Sequence, residues 1–228
     1  MNNRRLVIAT SIYPPDVGGP AAYFASLRVA LERRGWTIVV LIRPNFFMVA
    51  AAVRKGDTVL AHGTPRVLLA ILLARAFKRF RLVVRIGGDF FWERAVEGGA
   101  FWGTLRSFYR ERRFGLKARA VLWLLGRAFR SSDALVFTSE LLSEIYRPLF
   151  RLDGRRVHFV VHPLPDFSRR RRISPSAFPG ARLNYAGRFL KLKNLSLLLE
   201  VFATVRKRYP GLVLKLVGEG PERQSLEA

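Results

Sequence analysis

The sequence has no cysteine and only three histidines, and both facts limit the disulfides and metal sites that the chain can form. Without cysteine the chain has neither a disulfide framework nor a thiolate metal site, which is compatible with a reducing cytoplasm. His62, His158 and His162 are not spaced as metal ligands. The sequence therefore gives no indication of a metal centre.

Long apolar runs are also missing. The stretch from Leu6 to Thr10 is too short to be a signal peptide before Tyr13-Pro14-Pro15. The run from Val67 to Ala74 is broken by arginine well before the roughly 20 residues that a membrane-spanning helix needs. We therefore expect a soluble protein or one that binds a membrane only at its surface.

Acidic residues are few beside the basic ones. The chain has 40 Lys and Arg against 16 Asp and Glu, a formal net charge of +24 spread along its 228 residues. Such a charge attracts phosphates, whether of nucleic acid, anionic lipid or a phosphorylated substrate, and does not choose among them. Half of the residues are apolar, which is enough for one or two folded domains with a real core.

Short apolar runs alternate with segments of helical periodicity along the first two thirds of the chain. The runs consist mainly of Val, Leu and Ile without polar alternation, which is typical of parallel strands buried on both faces. We predict an α/β fold with a Rossmann-like parallel sheet, whose strands occupy residues 6–9, 37–42, 58–61, 82–86, 134–137 and 157–161.

Glycine-rich loops follow several of these strands. Gly18 and Gly19 come after the first strand, His62 follows the third, and Asp89 follows two glycines after the fourth. Open α/β sheets bind ligands at the carboxyl ends of their strands. Asp89, beside Phe90-Phe91-Trp92, is a candidate proton acceptor, and a helix-capping role is equally compatible with its position. For Gly18-Gly19 a ligand loop and a simple tight turn are also equally compatible.

Residues 101–130 are both basic and aromatic. We expect a helix here whose apolar side packs mostly in the core. The alternative is an interfacial helix whose cations contact anionic lipid while its aromatic side chains enter the headgroup region. The residues that fall on one side of this helix are Leu116, Ala120, Trp123, Leu124 and Arg127.

A second β-α-β unit is predicted near the end of the chain. Strands at 183–186 and 213–217 enclose a helix that starts at Leu195. Because parallel strands end at the same sheet edge, the loops after both strands should face one crevice, which suits a diphosphate. The residues expected there are Gly187, Arg188, Lys193, Glu219 and Gly220.

Three stretches resemble the family-4 retaining glycosyltransferases, which have the two-domain GT-B fold. They are Tyr13 to Gly19, Gly87 to Glu93, and Gly187 to Pro221. The resemblance implies a complete N-terminal Rossmann-like domain at residues 1–167, on the acceptor side, and a linker at 168–182. Residues 183–228 would then be the first β-α-β of a second Rossmann-like domain that binds the nucleotide sugar, which makes the chain a C-terminally incomplete fragment.

The resemblance also implies a reaction. A sugar would pass from a nucleotide-diphosphate sugar to a carbohydrate or lipid-linked acceptor with retention of configuration, without a metal or other cofactor. Arg188 and Lys193 would neutralise the departing diphosphate, and Gly18-Gly19 would lie against the substrates. Many members have a histidine-containing segment where this chain has Gly-Asp-aromatic-aromatic-Trp-Glu, so Asp89 and Glu93 are the candidates there.

Further expectations follow from charge and family. The enzyme is expected in the cytoplasm, peripheral at the inner membrane face, with an anionic membrane surface and no nucleic acid as partner. The incomplete second domain should expose apolar surface, bind donor weakly and turn over poorly. The rival hypotheses are a basic α/β protein that binds nucleic acid and a catalytically silent membrane-surface module.

Overall fold

A computed structural model describes residues 4–111, 114–161 and 182–227. The chain divides into two compact units. Unit 1 comprises Met1–Phe90 and Tyr109–Pro163, and unit 2 comprises Phe91–Phe108 and Leu164–Ala228. The predicted linker at 168–182 lies outside the described residues except for Arg182, which begins a strand.

Unit 1 is built on a six-stranded, fully parallel sheet with the order β2-β1-β3-β4-β5-β6. The predicted Rossmann-like α/β fold is confirmed, and every predicted strand of this sheet is present to within two residues at either end. The strands are β1 (Arg5–Thr10), β2 (Thr37–Ile42), β3 (Thr58–His62), β4 (Arg81–Ile86), β5 (Ala134–Phe137) and β6 (Val157–Phe159).

Helices connect these strands. As in other parallel sheets, each crossover needs a connection long enough to return to the amino end of the next strand. The helices of unit 1 are α1 (Gly19–Glu32), α2 (Phe46–Ala52), α3 (Pro65–Arg75), α6 (Leu116–Ser131) and α7 (Glu140–Phe150). Helices α4 (Phe90–Glu97) and α5 (Leu105–Glu111) span the two boundaries of the unit 2 segment Phe91–Phe108. Asn45 caps α2 by accepting a hydrogen bond from the Met48 amide at 2.9 Å.

Alternate residues of the central strands point to opposite faces of the sheet, and both sets are buried. Phe24 of α1 is fully buried against Leu6, Ile8 and Leu60 on one face. Val7, on the next position of β1, is equally buried on the other face. Burial on both faces explains why these strands read as continuous apolar runs in the sequence.

Helix α6 buries a different side from the one that the sequence predicts. Its buried residues are Leu125, Gly126, Ala128 and Phe129. Leu116 and Trp123, which the periodicity assigned to the core side, are 83% and 64% exposed. The expectation that this side packs in the core is therefore wrong. The basic-aromatic stripe of α6 lies on the surface of unit 1.

Unit 2 contains a two-stranded parallel sheet, β7 (Arg182–Ala186) and β8 (Val213–Val217), joined through α8 (Leu195–Arg208). A 3₁₀ turn at Lys191–Lys193 precedes α8, and α9 (Arg223–Glu227) follows β8. The predicted β-α-β unit is confirmed. The expectation of exposed apolar surface is confirmed too, since these side chains are about half exposed: Leu183, Leu197, Val201, Val213 and Val217.

No helix in the described ranges combines the length and the apolar character required to cross a membrane.

The buried ring of Phe24 generates a stability prediction. Phe24→Ala should lower the free energy of unfolding by about 3 to 5 kcal/mol, because the ring is fully buried and its loss leaves a cavity. Phe47→Ala is the matched control, since that ring lies mostly in solvent, and should change stability by less than about 0.5 kcal/mol. Chemical denaturation of both variants measures the difference; equal effects would contradict the described core.

Candidate functional site

The carboxyl edge of the unit 1 sheet has a topological switch point between β1 and β3. The chain leaves β1 to form β2 on one side and then returns to form β3 on the other. Such a reversal opens a crevice above the strand ends, where α/β proteins bind ligands. Ser11 and His62 meet there, with 2.9 Å between the serine Oγ and the imidazole Nδ1.

His62 is neutral at physiological pH. Burial, together with the nearby positive charge of Arg85, lowers the pKa of His62 to about 4. The ring also packs edge-on against Phe24, with 5.8 Å between centroids. A neutral imidazole fixed in this way can orient a substrate by hydrogen bonding, but it is a weak base at neutral pH. The structure thus places the predicted binding residue His62 at the crevice.

Arg85 is a residue that sequence reasoning missed. It pairs with His62 in the β3–β4 register and is 1% exposed, although it is a cation in an otherwise apolar strand. Its guanidinium carbon lies 4.0 Å from the centre of the Tyr23 ring, a cation–π contact. Burial lowers the pKa of Arg85, and Tyr23 opposes that effect. The signal was one charge inside Leu-Val-Val-Arg-Ile.

Asp89 lies after β4 and is 2% exposed. Its Oδ2 accepts hydrogen bonds from the Tyr109 hydroxyl at 2.7 Å and from the Tyr146 hydroxyl at 2.8 Å. Burial, together with the Asp89 charge, raises the pKa of both tyrosines, so both phenols stay protonated and donate. This geometry favours a positioning role, in which the carboxylate fixes the end of the Gly87-Gly88 loop. Proton transfer by Asp89 stays a prediction.

Gly18 and Gly19 form the entry to α1. An added side-chain carbon at Gly18 would lie 3.1 Å from Ile12 Cδ1, whereas one at Gly19 would meet no protein atom within 4 Å. No side chain caps this helix end. The chain is therefore open at Gly19, and the predicted binding role of the pair stays a prediction.

In unit 2 the loops after β7 and β8 pack tightly against each other. The Gly187 amide donates to the Val217 carbonyl at 2.9 Å, and the Phe189 amide donates to the Glu219 carbonyl at 2.9 Å. A Cβ at Gly218 would lie 1.8 Å from the Gly187 carbonyl oxygen, and one at Gly220 would lie 2.2 Å from the Phe189 oxygen. Hence Gly218 and Gly220 are needed for the loops to close together.

Arg188 and Lys193 are exposed beside these loops. Arg188 follows directly on the end of β7, and Lys193 ends the 3₁₀ turn before α8. Neither side chain has a hydrogen bond or an ion pair with any residue in the described part of the chain. The turn itself is held in place because the Leu192 amide donates to Glu97 Oε1 at 3.1 Å. Two cations are thereby available to an anion at this edge.

The predicted acidic binding residues have different surroundings. Glu219 pairs with Arg223, which also donates to Glu227 at 2.9 Å. Glu93 lies half-buried in the first turn of α4. Among residues 4–111, 114–161 and 182–227, no group of three or more His, Cys, Asp or Glu side chains is arranged to hold a metal ion.

Part of the chain is similar to a protein named as a glycosyltransferase. Over 97 residues it is 33% identical to the uncharacterized glycosyltransferase YqgM of Bacillus subtilis (strain 168). That segment is 42% of this chain and 26% of the relative, so the match spans about a quarter of the relative's length. No protein-family model matches the chain.

Among solved structures, pyridoxal kinase from Lactobacillus plantarum gives a TM-score of 0.38 at 12% sequence identity. The likeness covers 71% of this chain and 64% of that chain. A TM-score this low supports no inference about activity.

The low pKa of His62 generates a pH prediction. Between about pH 6.5 and pH 4 the unfolded chain binds a proton at His62 that the folded chain does not, so stability falls as the pH falls through this window, by up to about 3 kcal/mol. His62→Gln should remove this part of the loss. Denaturation near neutral pH and near pH 4 measures it, with the exposed His158→Gln as control. An unchanged pH-dependent loss in His62→Gln would contradict the buried neutral imidazole.

Proposed function

We propose that this chain belongs to a glycosyltransferase that moves a sugar from a nucleotide-diphosphate sugar to an acceptor. Support comes from the partial similarity to a glycosyltransferase-named protein and from the Rossmann-like α/β architecture. Because the match covers about a quarter of the relative, the activity of the whole protein is part of the proposal. The reaction breaks the bond between the anomeric carbon and the diphosphate, forms a bond to an acceptor oxygen, and releases the acceptor hydroxyl proton.

The observation that carries the proposal is the pair of cations at the edge of the unit 2 sheet. Arg188 and Lys193 both lie between β7 and the start of α8, and they make no ion pair within the described residues. Negative charge builds on the diphosphate as the glycosidic bond breaks, and fixed positive charges stabilise that state more than the ground state. The packed backbone of Gly187 and Glu219–Gly220 provides a rigid support beside them.

We propose that unit 1 serves the acceptor. Gly18-Gly19, His62 and the loop before Asp89 lie at the carboxyl ends of its strands, where open α/β sheets take their ligands. In this scheme His62 hydrogen-bonds a sugar hydroxyl as a neutral imidazole, and Asp89 holds the glycine loop through its two tyrosines. Glu93, which belongs to unit 2, stays a separate binding candidate. The acceptor class that we expect is a carbohydrate or a lipid-linked sugar.

The finer features rest on the resemblance to family-4 glycosyltransferases. These are the GT-B fold, retention of configuration, and independence of a metal ion. The two cations give metal independence a physical basis, because they can take the charge-neutralising role that a divalent cation has elsewhere. We place the activity in the cytoplasm at the inner membrane face, since the excess of cations favours an anionic surface.

The proposal predicts a loss of donor binding when the cations are removed. Arg188→Ala combined with Lys193→Ala should weaken the binding of a nucleotide-diphosphate sugar by about tenfold or more, because two charge-assisted contacts to phosphate are lost. Calorimetric titration with uridine, guanosine and adenosine diphosphate sugars measures the affinity.

The matched control lies at the other end of α8. Arg206→Ala with Lys207→Ala removes the same charge from two exposed positions and should leave donor affinity unchanged. An equal loss of donor affinity in both double variants would mean that net charge alone causes the loss, which would contradict the proposed site. If the unaltered protein binds none of the three donors, the proposed function itself is contradicted.

A further inference from the structure

Three neighbouring helices of unit 1 contain no acidic residue. The sequences of α2, α3 and α6 contain neither aspartate nor glutamate. In each helix the residues opposite the buried set face outward, because α3 buries Val67, Leu68, Ala70, Ile71 and Ala74, and α6 buries its Leu125 to Phe129 side. The outward sides of α3 and α6 therefore carry basic and apolar side chains, and Asp133, just past the end of α6, pairs with Arg75.

The outward stripe of α6 combines cations with large apolar groups at helical spacing. Its residues are Leu116, Arg119, Trp123, Arg127 and Arg130, each exposed. Exposed leucine and tryptophan on one helix face are costly in water unless a partner covers them. Within the stripe, cations and apolar groups follow each other along the helix, so both kinds of side chain meet the same partner.

The outward stripe of α3 continues this surface. Leu69 and Leu73 are both nearly half exposed, and Phe77, just past the helix end, is almost fully exposed. The Phe77 ring contacts Phe46 at 5.9 Å between centroids, and Phe46 contacts the exposed Phe47 at 5.2 Å. Lys78 ties the segment to α2 by donating to the Val53 carbonyl at 2.9 Å. The apolar surface thus extends from α3 onto the start of α2.

A pocket of about 450 Å³ lies between the C-terminal ends of α3 and α6. Three arginines line it, together with Ser131. Arg75 donates to Asp133 at 2.7 Å, and Arg130 donates to the Phe150 carbonyl at 3.0 Å, so both are fixed in place. Arg127 has no hydrogen bond or ion pair with the residues that the structure describes. Arg127 is therefore the arginine of this pocket that is available to a phosphate group.

We propose that the outward surface of α3 and α6 docks on an anionic lipid bilayer. Trp123, Phe77 and the exposed leucines enter the headgroup region, while the arginines contact lipid phosphates, one of them held in the pocket. Charge complementarity selects the anionic lipid, since six cations and no carboxylate lie on these two helices: Arg66, Arg75, Lys117, Arg119, Arg127 and Arg130. This inference does not depend on glycosyl transfer.

The side chains favour a bilayer over nucleic acid. Protein surfaces that bind single-stranded nucleic acid contact the phosphates with cations and stack the bases on aromatic rings. Exposed aliphatic side chains have no role in such binding. Here the cations alternate with Leu69, Leu73 and Leu116, which match hydrocarbon. A bilayer accommodates such groups together with arginines, whose chains extend toward the phosphates.

Co-sedimentation with vesicles tests the proposal. The unaltered chain should bind vesicles of equimolar phosphatidylcholine and phosphatidylglycerol, and bind vesicles of phosphatidylcholine alone much more weakly. Arg119→Glu with Arg127→Glu should weaken binding by about tenfold or more, since each cation near an anionic surface contributes to the attraction. Arg206→Glu with Lys207→Glu on α8 is the control for net charge and should retain most of the binding.

A tryptophan pair separates insertion from charge. Trp123 is 64% exposed and Trp102, in unit 2, is 66% exposed. Trp123→Ser should reduce vesicle binding, whereas Trp102→Ser should not, and circular dichroism checks that both variants fold. Equal binding by both charge variants, or equal effects of the two tryptophan changes, would overturn the proposal. Binding of a single-stranded RNA probe that competes with vesicles and shows the same variant pattern would also overturn it, in favour of nucleic acid.

Discussion

Parallel pairing of apolar strands is the constraint on which this structure depends. The strands of the unit 1 sheet that are covered on both faces are mostly apolar, and all strands of the sheet run in the same direction. The carboxyl ends of β1, β3 and β4 therefore meet at one edge. That arrangement brings Ser11 to His62 and sets His62 beside Arg85. The small parallel sheet of unit 2 repeats the principle with Gly187 and Gly218.

The same architecture determines where the charged side chains lie. Buried strands exclude most ionisable side chains, so the cations in the described part of the chain lie mainly on helices and loops. Arg85 is fully buried in β4, where its guanidinium lies over the Tyr23 ring. We propose two binding roles for exposed cations. Arg188 and Lys193 serve a diphosphate, and the arginines of α3 and α6 serve a lipid surface.

The strands of the sheet could be predicted from the sequence, because short runs of Val, Leu and Ile between glycine-rich loops are typical of buried parallel strands. The orientation of α6 could not be predicted in this way. Its two sides carry comparable apolar residues, Leu116 and Trp123 on one and Leu125 and Phe129 on the other, and periodicity alone cannot tell which side meets the sheet. Only contact with α3 and α7 decides that Gly126 and Ala128 face inward.

The surroundings of Asp89 could not be predicted either. Its partners Tyr109 and Tyr146 are 20 and 57 residues away in the chain, and the pairing depends on tertiary packing that brings both tyrosines to the loop after β4. Position at a strand end was predictable, because topology fixes it. The surroundings that decide between proton transfer and positioning come from tertiary packing, which local sequence does not encode.

Amide hydrogen exchange in the presence of nucleotide-diphosphate sugars tests the central claim most directly. Unit 2 is proposed to receive the diphosphate at the loops after β7 and β8 and at the start of α8. Bound donor should therefore slow exchange at residues 187–194 and 218–222, because ligand contact suppresses local opening. Unchanged exchange in both loops, with slowing confined to other segments, would contradict the account.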